Sequence, residues 1–365
     1  MTDHARPTLN LGFLGGGLNS AVGYTHFAAS HMDGLFKVAA GCFSRDADIN
    51  LATAEQFGVQ DDRAYANVSE LLAREADTLD AICVITPTPL HLESVSAILE
   101  AGVPVICEKA LTTSAENATQ MVALANTKQT PLAVTFNYIG YPMVREAKAL
   151  IDSGALGALQ HLAIEMPQES FVREGASPQA WRKLDYDIPC VSLDLGVHVV
   201  HIADFLSGGL AHEAVFSAEG RYGDVPGVVD TVYTTLKLEG GVLAVLSWGK
   251  AALGYRNGLS FRAFCSKGSL FWDQMSPELL ICNKKDGQRH IIDRGQVGLL
   301  EANKARYNRF KAGHPSGFIE AFANIYSDLH DCLCGKASIE DSHLSGEVAL
   351  SGLRRLSAIH SAKTF

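Results

Sequence analysis

The chain has 365 residues, 47% hydrophobic and 19% charged, which supplies packed cores, excludes a disordered chain, and at roughly 150 residues per domain amounts to about two domains. Thirty Lys and Arg against forty Asp and Glu give a formal charge of -10, without the basic excess that nucleic acid or an anionic membrane selects. The N-terminus, MTDHARPTLNLGFLGGG, has no basic stretch leading into an apolar core and cleavage site, and no later run approaches the ~20 apolar residues of a membrane span, so a cytoplasmic chain is expected.

Along the first ~135 residues, short Val- and Ile-rich runs alternate with amphipathic stretches. Strands are predicted at Asn10–Leu14, Phe36–Phe43, Ala81–Thr86, Pro104–Cys107 and Leu132–Thr135, apolar throughout as strands buried on both faces are. Helices are predicted near Ser20–Ser30, Ile49–Phe57, Ser69–Arg74, Leu90–Ala101 and Ser114–Lys128. Strand, helix, strand in repetition means a parallel sheet with right-handed crossovers. After residue 136 the texture changes. Helices near Met143–Asp152 and Ser192–Leu206 precede strand-like runs at His212–Arg221, Val228–Leu238, Val242–Gly249, Leu259–Cys265, Ser269–Trp272 and Leu279–Asn283. Turn signals such as Glu239-Gly-Gly241 separate several of them, as in a largely antiparallel sheet of hairpins. The tail is helical near Gly317–Leu333 and Leu344–Ala362. Eight cysteines stand singly, mostly in apolar runs and without a C-x-x-C pair, so buried reduced thiols and no metal site are expected.

The first strand runs into Gly15-Gly16-Gly17-Leu18-Asn19-Ser20 and then a helix. Glycines at such a turn permit the tight bend, let a pyrophosphate approach the backbone, and aim it at free N–H groups of the helix N-terminus. Gly15-x-Gly17-x-x-Ser20 fits that pattern, with Ser20 in place of the third glycine, so Gly15, Gly17, Leu18, Asn19 and Ser20 are the candidate dinucleotide contacts. The end of the second strand, where an acid would bond the ribose hydroxyls of NAD, carries Ser44-Arg45-Asp46. A hydroxyl beside a guanidinium suits a 2′-phosphate, which favours NADP over NAD. The alternative is that Arg45 is solvated and Asp46 caps the next helix.

Three further segments resemble the Gfo/Idh/MocA oxidoreductases. They are Thr86-Pro-Thr-Pro-Leu-His91 with Glu108-Lys109; Asn137-Tyr138 with the Gly154-Ala-Leu-Gly157 turn; and Asp194-Leu-Gly196-Val-His198-Val-Val-His201. The resemblance implies an α/β architecture: a Rossmann doubly wound parallel sheet over 1–136, and over 137–365 an α+β domain with a large, mainly antiparallel open sheet. The latter would bind substrate and join a homodimer or homotetramer, with the C-terminal helices packing back near the cleft. It adds Thr86, Pro87, His91, Glu108, Lys109 and Asn137 to the cofactor contacts, and implies a carbohydrate-like small-molecule substrate.

On a helix, Asp194, His198 and His201 are spaced to project from one face. By the resemblance, His198 is the acid/base, Lys109 bonds the reacting oxygen, Asp194 orients substrate or histidine, and His201 lines the pocket. Trp181, Arg182 and His314 are further substrate-binding candidates, each with a packing or helix-start role as the alternative. Ala110 stands where the family has a proline, so Lys109 reaches its place either from a trans backbone or from a cis bond held by its neighbours. A non-catalytic NAD(P) sensor on the same fold, and a dehydrogenase of non-sugar diols, remain the rival functions.

Overall fold

In the computed structural model, which describes residues 6–209 and 213–362, the early apolar runs become the strands of a parallel sheet. In chain order these elements are β1 (Leu9–Gly15), α1 (Gly23–His31), β2 (Phe36–Cys42), α2 (Ala47–Phe57), α3 (Val68–Glu75), β3 (Ala81–Ile85), α4 (His91–Glu100), β4 (Val105–Cys107), α5 (Ala115–Lys128) and β5 (Leu132–Val134). The strand order is β2-β1-β3-β4-β5, which reverses between β1 and β3. That switch point is where open α/β sheets bind ligands, outside the carboxyl ends of the strands. Three of the helices start on side-chain caps: Asp46 accepts from two N–H groups of α2, Asn67 and Ser114 from one each of α3 and α5.

The second sheet has eight strands. They are β6 (Leu159–Pro167), β7 (Glu213–Gly220), β8 (Thr231–Lys237), β9 (Leu243–Gly249), β10 (Ser260–Cys265), β11 (Gly268–Asp273), β12 (Leu280–Lys284) and β13 (Arg289–Ile292), preceded or interrupted by α6 (Pro142–Asp152) and α7 (Val197–Ser207). Their order is β13-β12-β11-β10-β6-β9-β8-β7, antiparallel except for β6 beside β9. Alternation sorts the faces. Val232, Leu236, Ala244, Leu246 and Trp248 are buried on the side of α7, whereas Tyr233, Leu243 and Val245 stand 58%, 48% and 54% exposed on the other. The tail forms α8 (Phe318–Leu333) and α9 (Gly346–Ser361).

By their contacts the residues form two units, Met1–Asn137 with Phe318–Leu350, and Tyr138–Gly317 with Ser351–Phe365. Segment 318–350, assigned by sequence to the second domain, thus groups with the first unit: α8 lies on α1, where the His26 ring meets Phe322 and Tyr326 edge-on at 5.0 and 5.9 Å. Other differences are local. Helix α1 begins three residues later than predicted because the Ser20 hydroxyl accepts from the Val22 and Gly23 N–H groups and holds the turn open. Strands β6 and β13 were not predicted, and His212, the predicted start of β7, lies outside the described residues. Among the described residues no helix is long and apolar enough to cross a membrane. All eight cysteines are free, six of them buried.

Candidate active site

In the first unit, β1 ends on Gly15 and Gly16 at φ 84° and 79°, the left-handed region glycine favours. A Cβ on Gly15 would meet the Ile85 carbonyl and Thr86 nitrogen at 2.9 Å, so the turn lies against the end of β3 at the switch point. The Gly17 N–H donates to Phe43 O at 3.1 Å; Leu18 and Asn19 are exposed and Ser20 half-buried. The third glycine's task is not lost at Ser20 but done by Gly23, where a Cβ would stand 2.0 Å from Gly16 O. Only a bare Cα lets α1 approach the turn so closely.

Two buried polar atoms at the same edge of the sheet, Thr86 Oγ1 and Asn137 Nδ2, have no hydrogen-bond partner among the described residues. Such atoms are costly unless something completes them. Together with the glycine cradle they fit a dinucleotide that lies across the strand ends. At the end of β2, Ser44 Oγ accepts from the Asp46 N–H at 3.1 Å, Asp46 caps α2, and Arg45 is exposed.

The other cofactor candidates of the first unit range from buried to exposed. His91 is fully buried, its ring nitrogens facing the carbonyl oxygens of Thr86 at 2.8 Å and Ala110 at 2.9 Å. Burial pushes its pKa below the ordinary histidine value against those carbonyls. It braces the turn and offers no free edge. Glu108 is also interior: His26 Nε2 stands 3.2 Å and the Thr135 hydroxyl 2.6 Å from its Oε1. Burial opposes its charge, but His26, Lys109 and Thr135 hold the carboxyl below the usual range. Lys109 follows, half-buried, and the Lys109-Ala110 peptide bond is cis, the second of the two alternatives. Pro87 is exposed at the turn before α4.

In the second unit, Ser192–Gly196 form a π turn leading into α7; single π turns inside helices recur at functional sites. The wider turn displaces Asp194 from the face that α-helical spacing gives it relative to His198. Gly196 permits it, since a Cβ there would touch the Trp248 ring at 2.9 Å, and Trp248 Nε1 donates to Ser192 Oγ at 2.8 Å. His360 Nε2 lies 2.8 Å from the same hydroxyl, and Glu219 pairs with the other ring nitrogen.

Asp194, His198 and His201 are 8%, 5% and 4% exposed. Asp194 is gripped by two cations: Arg182 Nε and Nη2 at 2.9 and 3.3 Å, and the Lys250 ammonium. The His198 ring meets Tyr138 edge-on at 4.7 Å. Burial pushes the Tyr138 hydroxyl up to about 12, and Asn257 Nδ2 donates to it at 2.9 Å. Trp181, half-buried, stacks under the Arg182 guanidinium at 4.4 Å. His314, by contrast, is exposed; its carbonyl accepts from Arg294 and its N–H donates to Lys311 O at 3.2 Å. Sequence reasoning missed Lys250 and Gly23 and left Tyr138 without a role. Lys250 had one signal, a lysine directly after Ser-Trp-Gly at the end of an apolar strand. Among the described residues no cluster of three His, Cys, Asp or Glu has the arrangement of a metal site.

The family described as "Oxidoreductase family, NAD-binding Rossmann fold" matches residues 9–136, and the "GFO/IDH/MocA C-terminal domain" matches 144–271. A myo-inositol dehydrogenase of Streptomyces leeuwenhoekii is 31% identical over 331 residues, 88% of this chain and 95% of that protein. An uncharacterized oxidoreductase of Bacillus subtilis is 28% identical over 330 residues, 87% of this chain and 84% of that one. The crystal structure of an inositol dehydrogenase homolog from Azotobacter vinelandii, complexed with NADH and myo-inositol, superposes with a TM-score of 0.89 at 26% identity, covering 98% of this chain and 96% of that one. Two successive domain matches along most of the chain, the glycine turn at the switch point and the Asp194–His198 helix lead to one conclusion: the chain belongs to the Gfo/Idh/MocA family of NAD-binding oxidoreductases.

Proposed function

We propose that the chain transfers a hydride between NAD(P) and a secondary alcohol carbon of a sugar, polyol or cyclitol. The observation that carries this is the buried polar set at the start of α7, Asp194 between Arg182 and Lys250 with His198 four residues on. The relatives' substrates, myo-inositol above all, support the class. When bound, the nicotinamide supplies the hydride acceptor or donor. His198 takes the hydroxyl proton in oxidation and returns it in reduction, since an imidazole nitrogen can both accept and donate a proton. Asp194 orients that ring or a neighbouring substrate hydroxyl, and His201 and Trp181 line the pocket. Lys109 donates to the reacting oxygen and offsets the negative charge that develops there. Nicotinamide absorbance with a panel of inositols, pentoses and hexoses tests the assignment. His198→Ala lowers kcat by at least ~100-fold on the accepted substrate; wild-type turnover in that variant overturns the role. Tight cofactor binding with no turnover on any compound returns the chain to the sensors.

NADP is the preferred cofactor in this proposal. What supports it is that Asp46 is engaged in capping α2, while the Ser44 hydroxyl and the exposed Arg45 guanidinium beside it are groups that suit a 2′-phosphate. Arg45→Ala weakens NADP binding about tenfold and leaves NAD unchanged, as titration calorimetry would read; tighter binding of NAD by the wild type overturns the preference. The exposed sheet face around Tyr233, Leu243 and Val245 supports a homodimer or homotetramer. The free cysteines support a reducing, cytoplasmic setting.

A further inference from the structure

We propose that the substrate carries a carboxylate and that Arg182 reads it. The inference rests on the oxidoreductase function proposed above and narrows its substrate class. Asp194 is doubly paired although one carboxylate needs one counter-charge: the Lys250 side chain is 4% exposed, the Arg182 side chain 25%. The two cations are not equivalent.

Lys250 is the fixed partner. It follows β9 directly, its N–H donates to Asp230 O at 2.8 Å, its carbonyl accepts from Phe171 N–H at 2.9 Å, and its ammonium lies 4.9 Å over the Phe171 ring. An ammonium so enclosed stays with Asp194. Arg182 is the exchangeable one. It sits on the short 3₁₀ turn Ala180–Lys183 in an irregular stretch after β6. Two of its other contacts, Gln179 just before that turn and the Trp181 ring on it, hold the guanidinium in place independently of Asp194. With Nε and Nη2 it already seats a carboxylate side-on, and a substrate carboxylate presents the same two oxygens.

The neighbouring acids do not take its place at Arg182. Asp185 accepts from the Cys190 and Val229 N–H groups at 3.0 and 2.9 Å, and Asp230 from those of Tyr222 and Gly223 at 2.7 and 2.6 Å. A neutral polyol offers hydroxyl acceptors but does not match the charge of a second cation beside an already neutralised aspartate. A sugar acid does: its carboxylate takes Arg182 while Lys250 keeps Asp194 paired.

The test compares matched pairs, D-glucose with D-glucuronate and D-galactose with D-galacturonate, adding D-glucose 6-phosphate to separate carboxylate from phosphate. Both turnover with the nicotinamide cofactor and calorimetric binding to the chain with reduced cofactor are read. The acids exceed their neutral partners by about tenfold or more in kcat/KM or affinity; Arg182→Gln lowers that ratio by a similar factor, and Arg182→Lys restores part of it. Neutral sugars equal to the acids, or a ratio unmoved by Arg182→Gln, overturns the proposal, and preference for the phosphate overturns the carboxylate assignment. A chain that binds the acids tighter yet turns over nothing fails the oxidoreductase function alone, whereas one that oxidises neutral sugars without preference fails this proposal alone.

Discussion

Asp194 shows how unequal the two halves of a buried ion pair are. Removing the anion leaves Lys250 and Arg182 without the carboxylate between them, whereas removing Lys250 leaves Asp194 its Arg182 contact. An uncompensated buried charge costs about 3–5 kcal/mol, a lost charge-assisted hydrogen bond about 1–3. Asp194→Asn therefore lowers the urea midpoint more than Lys250→Met does; the reverse order would mean that the lysine, not the aspartate, organises the trio. At this scale the sequence was legible where a residue's use is local. Gly15 and Gly17 announce a turn because the backbone itself demands them, and Asp46 sits where a cap belongs. Lys250 was legible only by its place after an apolar strand, a weak signal because a lysine there usually ends in water, and only the fold turns this one inward. The surroundings of His91 were illegible for the same reason: nothing in Thr-Pro-Thr-Pro-Leu-His shows that both ring nitrogens face carbonyl oxygens inside.

The element that departs most from its reading is the helix at Ser192. A 3.6-residue pattern predicted one continuous α-helix, and the period of the apolar residues cannot register a single wide turn. The contact at that turn comes from far away in sequence, from the Trp248 ring and its bond to Ser192. Gly196→Ala places a methyl group against that ring and is expected to cost about 1–3 kcal/mol by overpacking. It also lowers kcat by moving Asp194, read by thermal unfolding and steady-state rates on the same sample. Strand β6 was missed although Leu162, Ile164 and Met166 alternate inward, because Gln160, His161 and the closing Pro167 dilute the pattern and its partners β9 and β10 are far away in sequence. The buried parallel strands of the first sheet needed no such help, since an apolar run between a turn and an amphipathic helix has few other uses.

At the scale of the whole molecule, pH acts through His26. Burial opposes its charge, yet Cys83 and Glu108 beside it outweigh burial and raise its pKa to about 10. The folded value lies above the unfolded ~6.5, so this contribution to stability is complete below pH 6.5 and is lost as pH rises through about 10. Urea unfolding across that window should show a decline that His26→Gln abolishes; parallel curves would place the proton elsewhere. Assembly is the other property of the whole. A lysine at Val245, in the middle of the exposed sheet face, is expected to convert the proposed oligomer to monomer in analytical ultracentrifugation.

Helix α8 comes nearly two hundred residues after β5, yet it lays Phe322 and Tyr326 over His26 in the first unit. The cofactor-binding half is therefore not a detachable stretch of chain. A gene fragment ending at residue 137 would leave α1 uncovered and the His26–Glu108 pair bare on one side, and should aggregate. The same fragment joined by a short linker to 318–350 should fold and retain dinucleotide. Exchanging cofactor halves between relatives would require two crossovers, and a single cut would lose the helix that closes the nucleotide sheet.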